Sequence, residues 1–152
     1  YVAETLGPTA VARVIASIRD RGYRVVVIDC PPSLSRIVIA AWRASPEAIP
    51  LVPVEGPGAL RGVTHLGDAW EDAGLDRSRL RPVLTRHDPR RVLDRAIDDQ
   101  VRTLFPGVLK STIRESVVVA ESAAKREPLI TYATNHPVTE DFRQVAQEVA
   151  RG

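Results

Sequence analysis

Asp29 is an acidic residue that ends an apolar run, a position at which a carboxylate can face a ligand. It directly follows residues 25–28, four β-branched residues without polar alternation, and such a run is typical of a strand buried on both faces. Open α/β sheets bind their ligands at the carboxyl ends of such strands. A carboxylate there can serve as a hard anion for a divalent cation. From these residues alone, an ordinary turn or helix-capping aspartate is an equally good interpretation.

The other nucleophilic or metal-binding side chains form no recognisable constellation. Cys30 is the single cysteine, so it cannot form an internal disulfide, and no histidine lies near it in sequence to activate the thiol. Ser33 lacks the Gly-x-Ser-x-Gly elbow of hydrolases. The three histidines lack the spacing of zinc ligands; they are His65, His87 and His136.

Strands that alternate with helices are predicted along the whole chain. Apolar and β-branched runs predict strands over residues 24–29, 48–54, 81–85 and 108–113, and a short extended piece over 129–132. Helical periodicity predicts helices over 8–21, 33–44, 59–73, 90–105, 116–125 and 139–150. This alternation predicts an α/β fold, with a mostly parallel sheet between two layers of helices, in a single domain over residues 1–152.

The composition is that of an ordinary globular protein, with 44% hydrophobic and 26% charged residues. No apolar run reaches the length of a membrane span, and no signal-peptide pattern opens the chain. The net charge is +2, and Lys110 and Lys125 are the only lysines among 21 basic residues. Arginine suits phosphate contacts, but so small a net charge does not by itself predict nucleic-acid binding.

The string Val-Val-Val-Ile-Asp-Cys-Pro-Pro-Ser-Leu-Ser at residues 25–35 resembles the Walker B and switch II segment of the ParA/Soj-type partitioning ATPases. These ATPases belong to the deviant Walker A (MinD/ParA) superfamily, which has the P-loop NTPase fold. In that family the aspartate helps to hold the water shell of a nucleotide-bound Mg²⁺. The resemblance therefore implies that Asp29 contacts Mg²⁺ through water, and that switch II, which responds to the γ-phosphate, begins with Cys30, Pro31, Pro32 and Ser33.

Later motifs extend the resemblance over most of the chain. Pro-Val-Glu at 53–55, Ala-Leu-Arg-Gly at 59–62, Pro-Val-Leu-Thr-Arg-His-Asp-Pro-Arg at 82–90 and the stretch 112–132 are similar to successive family segments. His87 stands where the family has an aromatic residue. In relatives the nucleotide base lies beside the strand end and the turn that correspond here to Thr85, Arg86, Ile113 and Arg114. We therefore expect base contact at those four residues.

The resemblance implies an ATPase that uses ATP and Mg²⁺, but one motif is absent from these residues. The family's phosphate-binding loop, Lys-Gly-Gly-x-Gly-Lys-[Ser/Thr], occurs nowhere in the sequence, and its backbone amides and lysine normally hold the phosphates. We interpret the chain as the C-terminal part of a ParA-like ATPase domain, incomplete at its N-terminus. We expect no catalytic residue in it and no ATP hydrolysis by the chain alone.

Residues 77–102 are the most arginine-rich part of the chain, with aspartates between the arginines. One interpretation is the non-specific DNA surface of ParA-like dimers, which contacts phosphates without reading bases. The alternative is a solvated helix face. The candidates for DNA contact are Arg86, Arg90, Arg91 and Arg95.

The family also implies partners and a location. They are a second copy of the chain in a homodimer, a ParB-like activator protein, non-specific DNA and no membrane, in the bacterial cytoplasm on the nucleoid. The cargo would be a plasmid or a chromosome. Two other functions stay open: a binding or scaffold module of the same fold that works without the phosphate-binding loop, and a superfamily relative that positions other cargo.

Overall fold

The computed structural model describes residues 8–31, 35–45 and 47–151. It divides into two compact units, of which the first consists of Tyr1–Ala48 with Asp68–Asp76 and the second of Ile49–Gly67 with Arg77–Gly152. Pro32 and Ser33 of the predicted switch II lie outside the described residues.

The first unit contains two helices, α1 (Pro8–Asp20) and α2 (Arg36–Ala44), which pack against each other. Gly22 follows α1 with a φ of 84°, the left-handed conformation that ends many helices. The rings of Trp42 and Trp70 contact each other with centroids 4.7 Å apart. Both predicted helices are therefore confirmed, although α2 begins at Arg36.

The predicted strand over residues 24–29 is wrong in this structure. This segment has no regular secondary structure, and the side chains of Val25 and Val27 are 78% and 88% exposed. An apolar, β-branched sequence makes a segment suitable for burial in a sheet, but a strand forms only where a neighbour supplies ladder hydrogen bonds. Within the described ranges no segment pairs with it.

A parallel strand pair organises the second unit. β1 (Leu51–Val54) pairs with β2 (Arg81–Leu84), Leu51 lying opposite Arg81 and Val54 opposite Leu84. Both lie within predicted strands. The last three residues of β2 are buried, which is the two-sided burial typical of a parallel sheet. β1 accommodates Pro53 because in the described structure it pairs on one side only.

The predicted strand over residues 108–113 is formed only at its end, where Ile113 makes a parallel bridge with Thr85. The amides of Leu109 and Ile113 donate to carbonyls two residues apart on β2, at 2.9 and 2.8 Å. Four residues thus span the distance that two span on β2. The extra length bulges outward, and the amides of residues 110 and 111 donate instead to the carboxylate of Glu148, at 2.8 and 2.9 Å.

Five further α-helices and one 3₁₀ turn (Arg77–Arg79) complete the described structure: α3 (Gly56–Asp72), α4 (Val92–Leu104), α5 (Val117–Ala124), α6 (Leu129–Tyr132) and α7 (Pro137–Arg151). The extended piece predicted over 129–132 is wrong, because this segment is the single turn α6. The carbonyl of Pro128 accepts hydrogen bonds from the amides of Thr131 and Tyr132. None of the described helices has both the length and the apolar character of a membrane-spanning helix.

Helices cover both faces of β2. Val83 belongs to one buried cluster with Val138 and Val145 of α7. Leu84 points to the opposite face, because successive strand residues alternate, and it lines a small cavity together with Ile97 of α4. The chain therefore has an α/β fold, rich in helices around a small parallel sheet, consistent with a P-loop NTPase-like architecture.

Gly107 allows the loop before the bulge to approach the start of β2. A methyl group there would overlap the carbonyl oxygen of Leu80 and the guanidinium of Arg81. We expect Gly107→Ala to lower the free energy of unfolding by about 1–3 kcal/mol. Urea denaturation followed by circular dichroism measures the change.

The matched control is Gly62→Ala within α3, where an added Cβ meets nothing within 4 Å. We expect this change to stabilise the chain by up to about 1 kcal/mol, because alanine has the higher helix propensity. If both variants unfold at the same urea concentration, the close approach at Gly107 is refuted.

Candidate functional site

The carboxyl ends of three parallel segments lie side by side in the second unit. The Thr85 amide donates to the carbonyl of Val54, the last residue of β1, at 2.9 Å, and the Thr85 hydroxyl reaches the same oxygen at 3.4 Å. Ile113 pairs with Thr85 from the other side. The four residues expected to contact a base, Thr85, Arg86, Ile113 and Arg114, therefore lie at one edge of the sheet. We call this side of the sheet, where the strands end, the carboxyl edge.

Arg86 lies across the carboxyl edge between two carboxylates. Its Nη1 is 2.7 Å from Glu55 Oε1 and its Nη2 is 2.7 Å from Glu115 Oε1. The φ of Arg86 is 52°, a left-handed conformation that is uncommon for a side-chain-bearing residue. The hydrogen bond from Arg86, followed by that from Arg91, lowers the pKa of Glu115 below its ordinary value. This network therefore keeps Glu115 ionised and Arg86 oriented.

The four arginines proposed for DNA contact form one connected group, here called the arginine cluster (Arg86, Arg90, Arg91 and Arg95). Arg90 makes a two-point ion pair with Asp88, with both contacts at 2.9 Å, and it holds the pKa of Asp88 far below its ordinary value. Arg91 contacts Glu115 at 3.2 Å. Arg95 donates to the carbonyls of residues 89 and 90. The carboxylates of Glu55, Asp88 and Glu115 thus offset much of the charge of the four arginines.

Arg114 is tied to Asp141 of α7, a partner that sequence reasoning missed. The guanidinium contacts the carboxylate at 2.6 and 2.8 Å, and the Arg114 amide donates to it at 3.1 Å. Asp141 is buried. Burial alone would raise the pKa of Asp141, but the hydrogen bonds from Arg114 outweigh that effect and lower it. The turn after Ile113 is therefore fixed to α7.

His87 has the role of a packing group at this edge. Both of its ring nitrogens are buried without a hydrogen-bond partner in the described structure, and the ring lines a cavity of about 20 Å³ beside Asp94. No group of three or more His, Cys, Asp or Glu side chains within the described ranges is placed to hold a metal ion.

The Walker B candidate lies in the first unit, in the segment that did not form a strand. Asp29, Cys30 and Pro31 are all exposed. Although Cys30 is exposed as a residue, partial desolvation of its sulfur, with the negative charge of Asp29, raises the pKa of the thiol. The thiol is therefore not activated as a nucleophile. Mg²⁺ is usually held by one or two carboxylates together with phosphate oxygens and water. Asp29 therefore fits Mg²⁺ only alongside nucleotide phosphates.

Known proteins resemble the chain over most of its length. Soj of Thermus thermophilus, named a chromosome-partitioning ATPase, is 34% identical over 148 residues, which cover 93% of this chain and 57% of that protein. The chromosome partitioning protein ParA of Caulobacter vibrioides is 31% identical over 145 residues, which cover 89% of this chain and 52% of ParA. These similarities support a ParA/Soj-type segment.

A third relative agrees with this assignment. Soj of Bacillus subtilis, named a sporulation initiation inhibitor protein, is 29% identical over 136 residues, which cover 86% of this chain and 53% of that protein. The ParA/Soj-type chain thus spans about half the length of the curated relatives it matches. No family model matches it.

The ion pair between Arg114 and Asp141 gives this ParA/Soj-type chain a testable pH dependence. Because the pKa of Asp141 is lowered on folding, the carboxylate stabilises the fold above its ordinary pKa of about 4 and loses that effect as the pH falls through the folded-state value. We expect Asp141→Asn to lower the free energy of unfolding at pH 7 by about 1–3 kcal/mol. Denaturation at pH 7 and at pH 3 measures both effects.

The difference between the wild-type chain and Asp141→Asn should shrink at pH 3. Glu140→Gln is the matched control, because Glu140 is exposed and its contact with Arg143 is 3.5 Å long; we expect a change below about 0.5 kcal/mol. A difference for Asp141→Asn that stays constant between the two pH values would contradict the ionic role of Asp141.

Proposed function

We propose that this chain forms the switch and the DNA-facing part of a ParA/Soj-type ATPase that partitions chromosomes or plasmids. The observation that carries the proposal is the 34% identity to a chromosome-partitioning ATPase over 93% of the chain. The whole protein would act as an ATP-switched homodimer on non-specific DNA, together with a ParB-like activator, in the cytoplasm at the nucleoid.

The nucleotide base would bind at the carboxyl edge. This proposal rests on the adjacency of Thr85, Arg86, Ile113 and Arg114 and on the rule that α/β sheets bind ligands beyond the carboxyl ends of their strands. The planar guanidinium of Arg86 suits stacking on a base. The contacts of Arg86 with Glu55 and Glu115 would position it for that purpose.

Asp29 would hold Mg²⁺ through water once phosphate oxygens supply the other ligands, and the ion would offset phosphate charge. Cys30, Pro31, Pro32 and Ser33 would begin the segment that reports the γ-phosphate, as in other nucleotide switches. The exposure of Asp29 and Cys30 leaves their side chains accessible for that role.

We expect no ATP hydrolysis by the 152-residue chain. Neither of its two lysines lies in a glycine-rich loop, so no group neutralises the transferred phosphate in the way the Walker A lysine does. Phosphate release over a range of ATP concentrations measures the activity. Saturable turnover that survives further purification would contradict this expectation.

DNA contact through the arginine cluster is supported by its geometry. Four arginines meet in one group, and the side chain of Arg90 is 89% exposed. Their carboxylate partners reduce the local charge, so we propose weak contacts to phosphates that act in number. Guanidinium groups can exchange a carboxylate for a phosphate, because both groups offer two oxygen acceptors to the same donor fork.

The paired variant Arg90→Glu with Arg91→Glu tests this surface. We expect it to abolish the salt-sensitive retention of duplex DNA, because it removes two phosphate contacts and each contributes about 0.9 to the salt slope of binding. Fluorescence anisotropy with a labelled duplex between about 50 and 200 mM salt measures both quantities.

Lys125→Glu with Arg126→Glu is the matched control, since it changes the net charge equally at two exposed neighbours outside the arginine cluster. It should keep most of the binding and the slope. Equal loss in both variants would mean a general charge effect and would refute the cluster as the DNA surface. Circular dichroism of all variants checks that they are folded.

A further inference from the structure

A groove lies at the opposite edge of the same sheet, beside the amino ends of β1 and β2. Its volume is about 650 Å³, which is in the range of ligand-binding clefts. Ile49, which precedes β1, and Arg81, which begins β2, form one side, and the loop of residues 106–111 and the last two turns of α7 form the other. We call it the amino-edge groove. It shares no lining residue with the carboxyl edge.

The wall of the groove is built by tertiary contacts. The Glu148 carboxylate accepts hydrogen bonds from the amides of Lys110 and Ser111 at 2.8 and 2.9 Å. These hydrogen bonds fix the bulged residues to α7. Gly107 keeps the same loop close to Leu80. The loop is thus fixed at both ends, and the groove is a feature of the folded second unit.

The groove is cationic. Its lining includes Arg81, Lys110 and Arg151, and its one carboxylate is Glu148. Burial opposes ionisation of Glu148, but the hydrogen bonds from the two loop amides, and after them the charge of Lys110, lower its pKa. Glu148 is therefore ionised and bound to the loop backbone. Lys110 is exposed, and within the described structure no carboxylate approaches its ammonium group closely enough for a salt bridge. An anionic ligand would therefore meet three cationic side chains and one carboxylate, that of Glu148, which two loop amides already engage.

The remaining lining matches a peptide. Gln144 and Gln147 are one turn apart on α7 and exposed, and a carboxamide both donates and accepts, as a peptide group does. Ile49 and Val108 supply apolar surface for an aliphatic side chain. Within the described lining no aromatic ring is present, so the stacking platform typical of single-stranded nucleic-acid sites is missing.

We propose that the amino-edge groove binds an acidic segment of a partner protein in extended conformation. Its carboxylates would meet Lys110, Arg81 and Arg151, its backbone would meet Gln144 and Gln147, and an aliphatic side chain would lie on Ile49. The proposal is independent of nucleotide binding and of the arginine cluster.

The test uses the full chain and a fluorescein-labelled, end-capped peptide of four alternating aspartate–leucine pairs, with a lysine–leucine peptide of the same length as the charge control. Fluorescence anisotropy should detect saturable binding of the acidic peptide and none of the lysine–leucine peptide. We expect Lys110→Glu to weaken that binding about fivefold or more. Gln144→Ala with Gln147→Ala should also weaken binding of the acidic peptide, and it should change the salt dependence of that binding less than Lys110→Glu does.

Lys125→Glu is the matched control, because Lys110 and Lys125 are the only lysines and both are exposed. It should leave the affinity for the acidic peptide unchanged. Equal weakening by the two lysine variants, or no saturable binding by the wild-type chain, would overturn the proposal. Binding of a labelled oligothymidine that depends on Lys110 more strongly than peptide binding does would also overturn it, in favour of a nucleic-acid ligand.

Discussion

The hydrogen bonds on both sides of β2 determine the arrangement of the second unit. β1 pairs with β2 in parallel, and the carbonyls of β2 accept the amides of Leu109 and Ile113 on the other side. Because all three segments run in the same direction, their carboxyl ends meet at one edge and the loops before them at the other. A strand of four residues separates these edges by about 13 Å. Two chemically different surfaces can therefore exist on one small sheet.

Local sequence was sufficient to predict a helix or a strand wherever the spacing of apolar residues matched the way the element packs. The strands at β1 and β2 and six of the helices follow from apolar runs and from the helical spacing of apolar residues. Residues 24–29 show the limit of this reasoning. Their side chains favour a buried strand, but pairing is a property of two segments, and a single sequence run does not specify its partner.

The two other differences have their own physical reasons. The turn α6 is only four residues long, too short for its periodicity to distinguish a helix from a strand. The end of the predicted strand over 108–113 is formed, but its middle is not, because Glu148 binds the amides of two residues that precede it by 38 and 37 positions. A helix carboxylate that binds a distant loop has no local signature.

The placement of the candidate site was predictable from topology, whereas its electrostatics were not. Strand ends alone bring Thr85 and Ile113 together. The ion pair joins Arg114 to Asp141, which lies 27 residues later in the chain. In the sequence, Asp141 is indistinguishable from the other polar residues of an amphipathic helix. Its position next to the apolar stripe of Val138 and Val145 was the available signal, since a carboxylate near a core needs a partner.

The bulge at Lys110 and Ser111 also bears on solubility. A regular strand at this side of the sheet would present a row of free amides and carbonyls, to which another copy of the chain could add a strand. Two of these amides are occupied by Glu148, and the bulge interrupts the spacing that a new strand would have to match. The same carboxylate that shapes the groove therefore opposes strand addition on this side of the sheet.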